Sequence, residues 1–190
     1  MNNEGQARAI NEQDHQQMLD YLSTTRYAIR DRAVYLMTMR AGLRIGEVAA
    51  ITMDDILDSD GTLKDVVILR KSMTKGSKTR TAYFSHPELR ESLETYINQR
   101  KNAKTNAVFT TQLRTSFSAN SLAQLMLKHY NEAGLEGCSS HSGRRSMLSS
   151  LLKKGVDIVA VSKVAGHASI STTQRYIHHD QEELLKAVSL

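Results

Sequence analysis

The sequence is poor in cysteine and proline, and it contains no long apolar run. Cys138 is the only cysteine among 190 residues, which excludes an internal disulfide and favours a reducing compartment. No apolar run approaches the ~20 residues that a membrane-spanning helix needs, and the N-terminus lacks the charged start and apolar core of a secretion signal. Pro87 is the only proline, and no repeat or low-complexity linker divides the chain. We therefore expect one cytoplasmic domain over residues 1–190, with no membrane partner.

The chain is basic, with 25 Lys and Arg against 20 Asp and Glu and a formal net charge of +5. Basic residues recur at 70–80 and 144–154, whereas acidic residues concentrate at 54–65, 88–94 and 180–183. A basic protein favours an acidic partner, nucleic acid first. The charge distribution alone is equally compatible with an ordinary solvated surface of mixed charge, so the function has to be inferred from the motifs.

Apolar spacing predicts a mostly helical protein with one small antiparallel sheet. Residues 1–10 are polar and unpatterned, which predicts a flexible arm, and 180–190 forms an amphipathic tail helix. Two β-rich runs, 65–70 and 79–84, flank a Lys-Gly-Ser-Lys turn at 75–78. Helical segments are predicted at 11–25, 26–42, 43–51, 87–101, 121–134, 146–155 and 156–167, followed by a short helix that carries Tyr176.

Several cations accompany a single tyrosine in and near the last third of the chain. Their chemistry suits a phosphodiester, because arginine donates to two phosphate oxygens at once and a positive field helps a tyrosine hydroxyl to attack. A lysine could give the departing 5′ oxygen its proton. The candidate site residues are Arg44, Lys75, His141, Arg144, His167 and Tyr176.

These residues lie in motifs that resemble the tyrosine recombinases, the phage integrase family. The motifs are "AGLRIGEVAAI", "TKGSKTR", "HSGRRS" and "AGHASISTTQRYIH", with His167 nine residues before Tyr176. They run from about residue 40 to 179 in the order that the family uses. A single motif of this kind is a weak indication of the family, but the full set in this order is a strong one.

The resemblance implies a fold and a set of roles. The fold would be the mainly α (α+β) catalytic domain of tyrosine recombinases, with a small three-stranded antiparallel sheet. Tyr176 would attack the scissile phosphate and form a 3′-phosphotyrosine. Arg44 and Arg144 would clamp the phosphate, Lys75 would be the general acid and His141 would handle the tyrosine proton.

The remaining implied roles are supporting ones. His167 would hydrogen-bond the phosphate, and Glu47 matches the acidic position that supports the site. Arg145, Lys78 and Arg80 are expected DNA contacts. No metal or nucleotide cofactor is implied, because the phosphotyrosine bond conserves the energy for rejoining. The implied activity is site-specific DNA recombination (integration) in a phage or mobile element.

The implied partner is a double-stranded DNA attachment site at the nucleoid. We expect a homotetramer on DNA and a monomer or weak oligomer without it. Members of the family usually carry a separate N-terminal core-binding domain, which we expect this chain to lack, either as a naturally short recombinase or as a fragment. We therefore expect weak DNA binding by this chain alone. Hypothetically, the tail after the tyrosine exchanges between protomers.

Each residue also has an ordinary structural explanation. Tyr176 could be a core tyrosine, Arg44 could simply pair with Glu47, and Lys71 or Lys78 could replace Lys75. A zinc site from Cys138, His167, His178 and His179 lacks a suitable spacing. Two other functions stay open, a type IB topoisomerase-like enzyme and a DNA-binding accessory protein without catalysis. The ordered set of motifs favours the recombinase.

Overall fold

A computed structural model describes residues 7–74, 78–100 and 103–177. The fold is mainly helical with one small antiparallel sheet, as the sequence predicted. The helices are α1 Glu12–Ser23, α2 Ala28–Met39, α3 Ile45–Ala50, α4 Met53–Ile56, α5 Pro87–Gln99, α6 Ala119–Glu132, α7 Ser142–Lys153, α8 Ile158–Ala165 and α9 Ile170–Gln174; the strands are β1 Val66–Leu69 and β2 Arg80–Tyr83.

Helix ends follow from local chemistry. Asn11 accepts a hydrogen bond from the amide of Asp14, and Asp14 accepts one from the amide of Asn11, which satisfies two orphan donors at the start of α1. Pro87 opens α5, where its missing N–H costs nothing. Gly166 ends α8 in the left-handed region at φ +62°, which a residue with a Cβ adopts only with strain.

The expected three-stranded sheet is wrong for the described residues, which contain two strands. Val66 pairs with Tyr83 and Leu69 with Arg80. The segment before β1 turns sharply at Asp58–Thr62 and makes only an isolated bridge between Leu57 and Leu63. The chain therefore folds back on the end of α4 instead of extending the sheet.

Helix α2 lies at the centre of the main core. Ala33, Val34, Tyr35, Leu36 and Met37 are all fully buried, so this helix is covered on every side. It packs against α1, α5 and α7, while α3 packs against α6.

A second, smaller cluster joins α7 to α8. Leu148, Val161 and Ala165 are fully buried there, and Tyr176 packs against their edge. The last third of the chain is thus attached to the main domain largely through α7.

Residues 7–10 lie against the domain, which differs from the flexible arm expected over residues 1–10. Ile10 is buried, and its amide donates to Ser146 Oγ at 2.6 Å. The expected tail helix at 180–190 lies outside the described residues. No helix in the described part of the chain is both long and apolar enough to cross a membrane.

The close approach of α7 to α2 depends on Gly143. A Cβ at this position would overlap Thr38 Oγ1 and lie 3.1 Å from the backbone nitrogen of Met39. We predict that Gly143→Ala lowers the free energy of unfolding by about 1–3 kcal/mol, because the two helices must separate. Urea unfolding measures this. Ser150→Ala, on the exposed face of the same helix, is the control and should change stability little; equal effects of the two variants would contradict the packing argument.

Candidate active site

An open groove of about 1500 Å³ lies between β2, the start of α7 and the segment from α8 to Tyr176. Its described lining contains seven Lys and Arg side chains and no carboxylate. Such a groove favours an anion, because its cations face the same solvent-filled space. Eight predicted residues line it: Arg44, Lys78, Arg80, His141, Arg144, Arg145, His167 and Tyr176.

Arg44 is fixed at the start of α3. Gly42, at φ +63°, turns the chain between α2 and α3, and Arg44 becomes the N-cap residue. The Arg44 amide donates to Glu47 Oε2 at 2.7 Å, and Arg44 Nη1 donates to Glu47 Oε1 at 3.0 Å. Both the backbone and the side chain of Arg44 are therefore held by one carboxylate, which is only 1% exposed.

Glu47 remains ionised at the base of the groove. Burial alone would raise its pKa, but the hydrogen bonds and charge of Arg80, together with the Arg44 amide, outweigh burial and lower the pKa below its usual value. The carboxylate can therefore serve as a fixed anchor for the surrounding guanidinium groups.

Arg144 lies deepest of the predicted phosphate ligands, with 4% of its surface exposed. Its Nη1 donates to the carbonyl oxygen of Gly42, and its Nη2 donates to that of Ala165 at 2.5 Å. Burial, followed by the charges of Arg44 and Arg80, lowers its pKa to about 9. The guanidinium is still charged at neutral pH, and two backbone carbonyls fix its plane.

His167 directly follows the left-handed end of α8. Its Nδ1 lies 2.8 Å from Thr173 Oγ1, and its Nε2 lies 3.4 Å from Arg144 Nη2. Burial and the charges of Arg144, Arg44 and Arg80 lower the pKa of His167 to about 4. The ring is therefore neutral at physiological pH.

Tyr176 stacks on His167, with ring centroids 5.9 Å apart and planes 13° from parallel. The sequence predicted this tyrosine on a short helix, but α9 ends at Gln174 and Tyr176 lies in the turn that follows. Ser169 caps α9, since its side chain accepts from the amide of Ser171. Thr173, which sequence analysis missed, is fully buried beneath this turn; nothing in the sequence distinguishes it from Thr172.

His141, Arg145 and Lys78 lie nearer the rim. His141 is the exposed N-cap residue of α7, three positions before the buried Arg144. Arg145 Nη1 donates to the carbonyl oxygen of Ala7 at 3.1 Å, so this side chain ties the N-terminal segment to the groove. Lys78 is exposed. Lys75 lies outside the described residues, although Thr74 and Lys78 on either side of that gap both line the groove.

The structure corrects the expected position of Arg80. We expected a surface contact to DNA, but its side chain is only 5% exposed and forms a salt bridge with Glu47. The reason is strand alternation, because Arg80 and Ala82 face inward on β2 while Thr81 and Tyr83 face outward. The alternation from Arg80 to Phe84 was the sequence signal for this burial.

No metal-binding cluster is present among the described residues, where no three His, Cys, Asp or Glu side chains group closely enough to hold an ion. Cys138 is buried below the N-terminal segment, and its Sγ is 4.0 Å from the carbonyl oxygen of Arg8.

The motifs and the geometry agree with a family-wide comparison. The model of the phage integrase family matches residues 8–183. The chain belongs to the phage integrase family. It is 31% identical to tyrosine recombinase XerC of Caldanaerobacter subterraneus subsp. tengcongensis, over 84% of this chain and 44% of that protein. It is 29% identical to tyrosine recombinase XerA of Thermococcus kodakarensis, over 95% of this chain and 61% of that protein.

The chain spans about half the length of the curated relatives that it matches. Solved structures share its fold. The XerA recombinase covers 96% of this chain with a TM-score of 0.77 and 20% identity, and 64% of that chain is covered. The Tn1549 transposon integrase in complex with transposon right end DNA covers 100% with a TM-score of 0.80 and 16% identity, and 67% of that chain is covered.

The neutral state of His167 predicts a pH dependence of stability. Its pKa falls from 6.5 in the unfolded chain to about 4 in the folded one, so the unfolded state binds the proton first as the pH drops. This histidine should lower the free energy of unfolding progressively from pH ~6.5 towards ~4, and contribute nothing above that window.

Urea unfolding of the wild type and His167→Gln at pH ~7.5 and ~5 tests this. The loss of stability on acidification should be smaller in the variant. His15 and His86, whose pKa burial also lowers, should leave a residual slope in both proteins. Identical losses would show that His167 titrates alike in the folded and unfolded states.

Proposed function

We propose that this chain is the catalytic part of a site-specific DNA recombinase that cleaves and rejoins strands through a covalent bond to Tyr176. One observation carries the proposal. Residues from segments up to more than a hundred positions apart line a single basic groove, whose described lining contains no carboxylate. These residues are Arg44, Arg144, His167 and Tyr176. Ordinary structural explanations would need a separate cause for each residue.

The proposed reaction is a transesterification. A phosphodiester in the groove would receive hydrogen bonds from Arg44 and Arg144, which stabilise the charge that develops on its non-bridging oxygens. Tyr176 Oη then attacks phosphorus, the Tyr176 O–P bond forms and the bond to the 5′ oxygen breaks. His141 takes the tyrosine proton and Lys75 gives a proton to the departing 5′ oxygen. A 5′ hydroxyl on the second strand end reverses these steps and rejoins the DNA.

Thr173 suits His167 to this reaction, because a hydroxyl either donates or accepts. Arg144 Nη2 can only donate, so opposite it His167 Nε2 accepts and Nδ1–H donates to Thr173. With a phosphate bound, the other tautomer would direct Nε2–H at a phosphate oxygen while the Thr173 hydroxyl donates to Nδ1. The neutral ring can change its role without changing its position.

Two rival functions predict different products. A type IB topoisomerase-like enzyme would relax supercoils without exchanging partners, and an accessory protein would bind DNA without a covalent step. The relatives are named tyrosine recombinases, which favours strand exchange over both. The intact set of groove residues also weighs against an accessory protein.

A nicked suicide duplex tests the covalent step. The duplex carries an attachment site selected with this protein from a DNA library, and the nick lets the downstream fragment diffuse away so that the adduct accumulates. We predict an adduct with the wild type and at least a ~10³-fold slower one with Tyr176→Phe, because no nucleophile remains. Tyr27→Phe, at a tyrosine that stacks beneath Arg30 away from the groove, is the control and should react normally.

An adduct that persists in Tyr176→Phe would contradict the assigned nucleophile. The absence of any adduct, together with retained DNA binding, would favour the accessory protein. Relaxation of supercoils without recombinant products would favour the topoisomerase.

We further propose that the chain assembles as a tetramer on its attachment site in the cytoplasm, at the nucleoid, and is monomeric or weakly associated without DNA. Residues 180–190 carry an apolar face of Leu184, Leu185 and Val188, which a neighbouring protomer could cover. DNA binding by this chain alone should be weak and should fall steeply with salt.

Deletion of 181–190 tests the assembly. We predict that the truncated chain still forms the covalent adduct at one site but loses higher-order complexes in native gels and loses recombinant products. The physical reason is that cleavage needs one groove, whereas exchange needs contacts between protomers. Unchanged assembly and recombination would rule out a role of the tail between protomers.

A further inference from the structure

Arg80 makes a denser set of contacts than its expected role as a DNA contact requires. Its Nε donates to Glu47 Oε1 at 3.0 Å, and its Nη2 donates to Glu47 Oε2, so the guanidinium meets the carboxylate as a two-pronged fork. Its Nη1 donates to the carbonyl oxygen of Val164 at 3.1 Å, and its Nη2 also approaches that of Gly42 at 3.4 Å. The side chain is almost fully buried while it makes these contacts.

Two acceptors of Arg80 also hold predicted phosphate ligands. Glu47 holds the amide and guanidinium of Arg44. The carbonyl of Gly42 accepts from Arg144. The third acceptor, Val164, lies three residues before His167, in the last turn of α8. A single guanidinium therefore contacts the groups that hold Arg44 and Arg144, and it contacts the helix end that leads to His167.

The fit around Arg80 is close on the side of His167. A Cβ on Gly166 would overlap Arg80 Cδ, so the left-handed turn that presents His167 is packed directly on the arginine stem. Arg80 also follows Lys75 by five residues, and β2 leads directly from that turn. The anchored strand thus begins close, in sequence, to the predicted general acid.

Arg44 and Arg80 share the carboxylate of Glu47, so the loss of Arg80 would leave Arg44 as its remaining partner in these contacts. Glu47 has two oxygens, and each accepts one hydrogen bond from Arg44 and one from Arg80. A lysine could supply the charge but not the planar fork that reaches a carboxylate and two carbonyls together. The loss of those fixed donors would let Glu47 and the Arg44 attached to it change position.

We propose that Arg80 is a positioning residue for strand cleavage, which sets Arg44 through Glu47, contacts the Gly42 carbonyl that holds Arg144 and packs against the Gly166 turn that presents His167. The proposal rests on the proposed function for its catalytic consequence. Its structural part stands on the contacts alone and can be measured without DNA.

Two other roles make different predictions. A direct phosphate contact would tolerate lysine, and its loss would chiefly weaken DNA binding and flatten the salt dependence. A salt bridge that only stabilises the fold would leave cleavage unchanged wherever the protein is still folded. A positioning residue would instead lower the cleavage rate at saturating DNA and leave affinity nearly intact.

The main variant is Arg80→Lys, and Arg90→Lys is its matched control. Arg90 likewise donates to one carboxylate, that of Asp65, and to two carbonyl oxygens, those of Phe84 and Leu63. It does not line the groove. Hydrogen exchange measures the backbone amides of Arg44, Val48 and His167 in the free proteins. Single-turnover cleavage of the suicide duplex is then measured at saturating protein, with DNA affinity measured separately.

We expect Arg80→Lys to speed exchange at those three amides about tenfold or more and to slow cleavage on the order of 10²-fold, with affinity changed less than about threefold. Arg90→Lys should change none of these. Glu47→Gln keeps Arg80 but replaces the carboxylate with a neutral amide, so it should show the same pattern as Arg80→Lys. The double variant Arg80→Lys/Arg44→Lys should raise the activation free energy of cleavage by less than the sum of the two single variants, because Arg80 acts through Arg44.

If Arg80→Lys does not fold, Arg80→Met with Glu47→Leu removes both buried charges together and is expected to fold. Slow cleavage and fast exchange at His167 in that double variant support the proposal, because the amide of His167 donates to Ser162 and not to Glu47. The proposal is overturned if any folded Arg80 variant shows wild-type hydrogen exchange at all three amides, or if it cleaves DNA at the wild-type rate. If the wild-type protein forms no adduct, the proposed function fails, while the exchange data still decide whether Arg80 positions the groove.

Discussion

The groove depends on one buried carboxylate that faces three guanidinium groups. Glu47 is bound by Arg44 and Arg80, and Arg144 lies just beyond them on the carbonyl that Arg80 also approaches. Three like charges at the edge of a core repel one another, and one carboxylate neutralises only part of that charge. The remaining positive charge faces the groove, where a phosphate would compensate it. An anion bound in the groove would reduce this repulsion, as the proposed phosphate site requires.

Two backbone carbonyls supply the rest of the cradle. Arg144 is fixed by the carbonyl of Gly42, in the turn between α2 and α3, and by that of Ala165, the last residue of α8. A helix end leaves carbonyl oxygens without partners, and at Ala165 the guanidinium satisfies one while keeping its own plane fixed. Glycine is needed at these turns for its backbone and, at Gly166, also for the space that Arg80 fills.

The proposed nucleophile has a different support from the proposed phosphate ligands. Tyr176 packs on the small cluster of Leu148, Val161 and Ala165, whereas Arg44 is attached to the main core around α2 and α3. A segment with little buried apolar area costs less free energy to displace than one in a large core. This division would suit the proposed reaction, in which the phosphate is held in place while the tyrosine approaches it.

The sequence by itself determined most of the helices, the turns at glycine and the order of the motifs, because these depend on residues close together in the chain. The short helix α4 Met53–Ile56 was not predicted. The sequence also predicted a set of basic residues around Tyr176, and several of these line one groove with it. Only the tertiary structure decided that the sheet has two strands, that Tyr176 follows α9 and that the side chain of Arg80 pairs with Glu47. Those outcomes depend on which strand face meets the core and on whether a turn folds back or extends a sheet. Both are set by contacts between distant segments, such as Glu47 with Arg80, which no local pattern encodes.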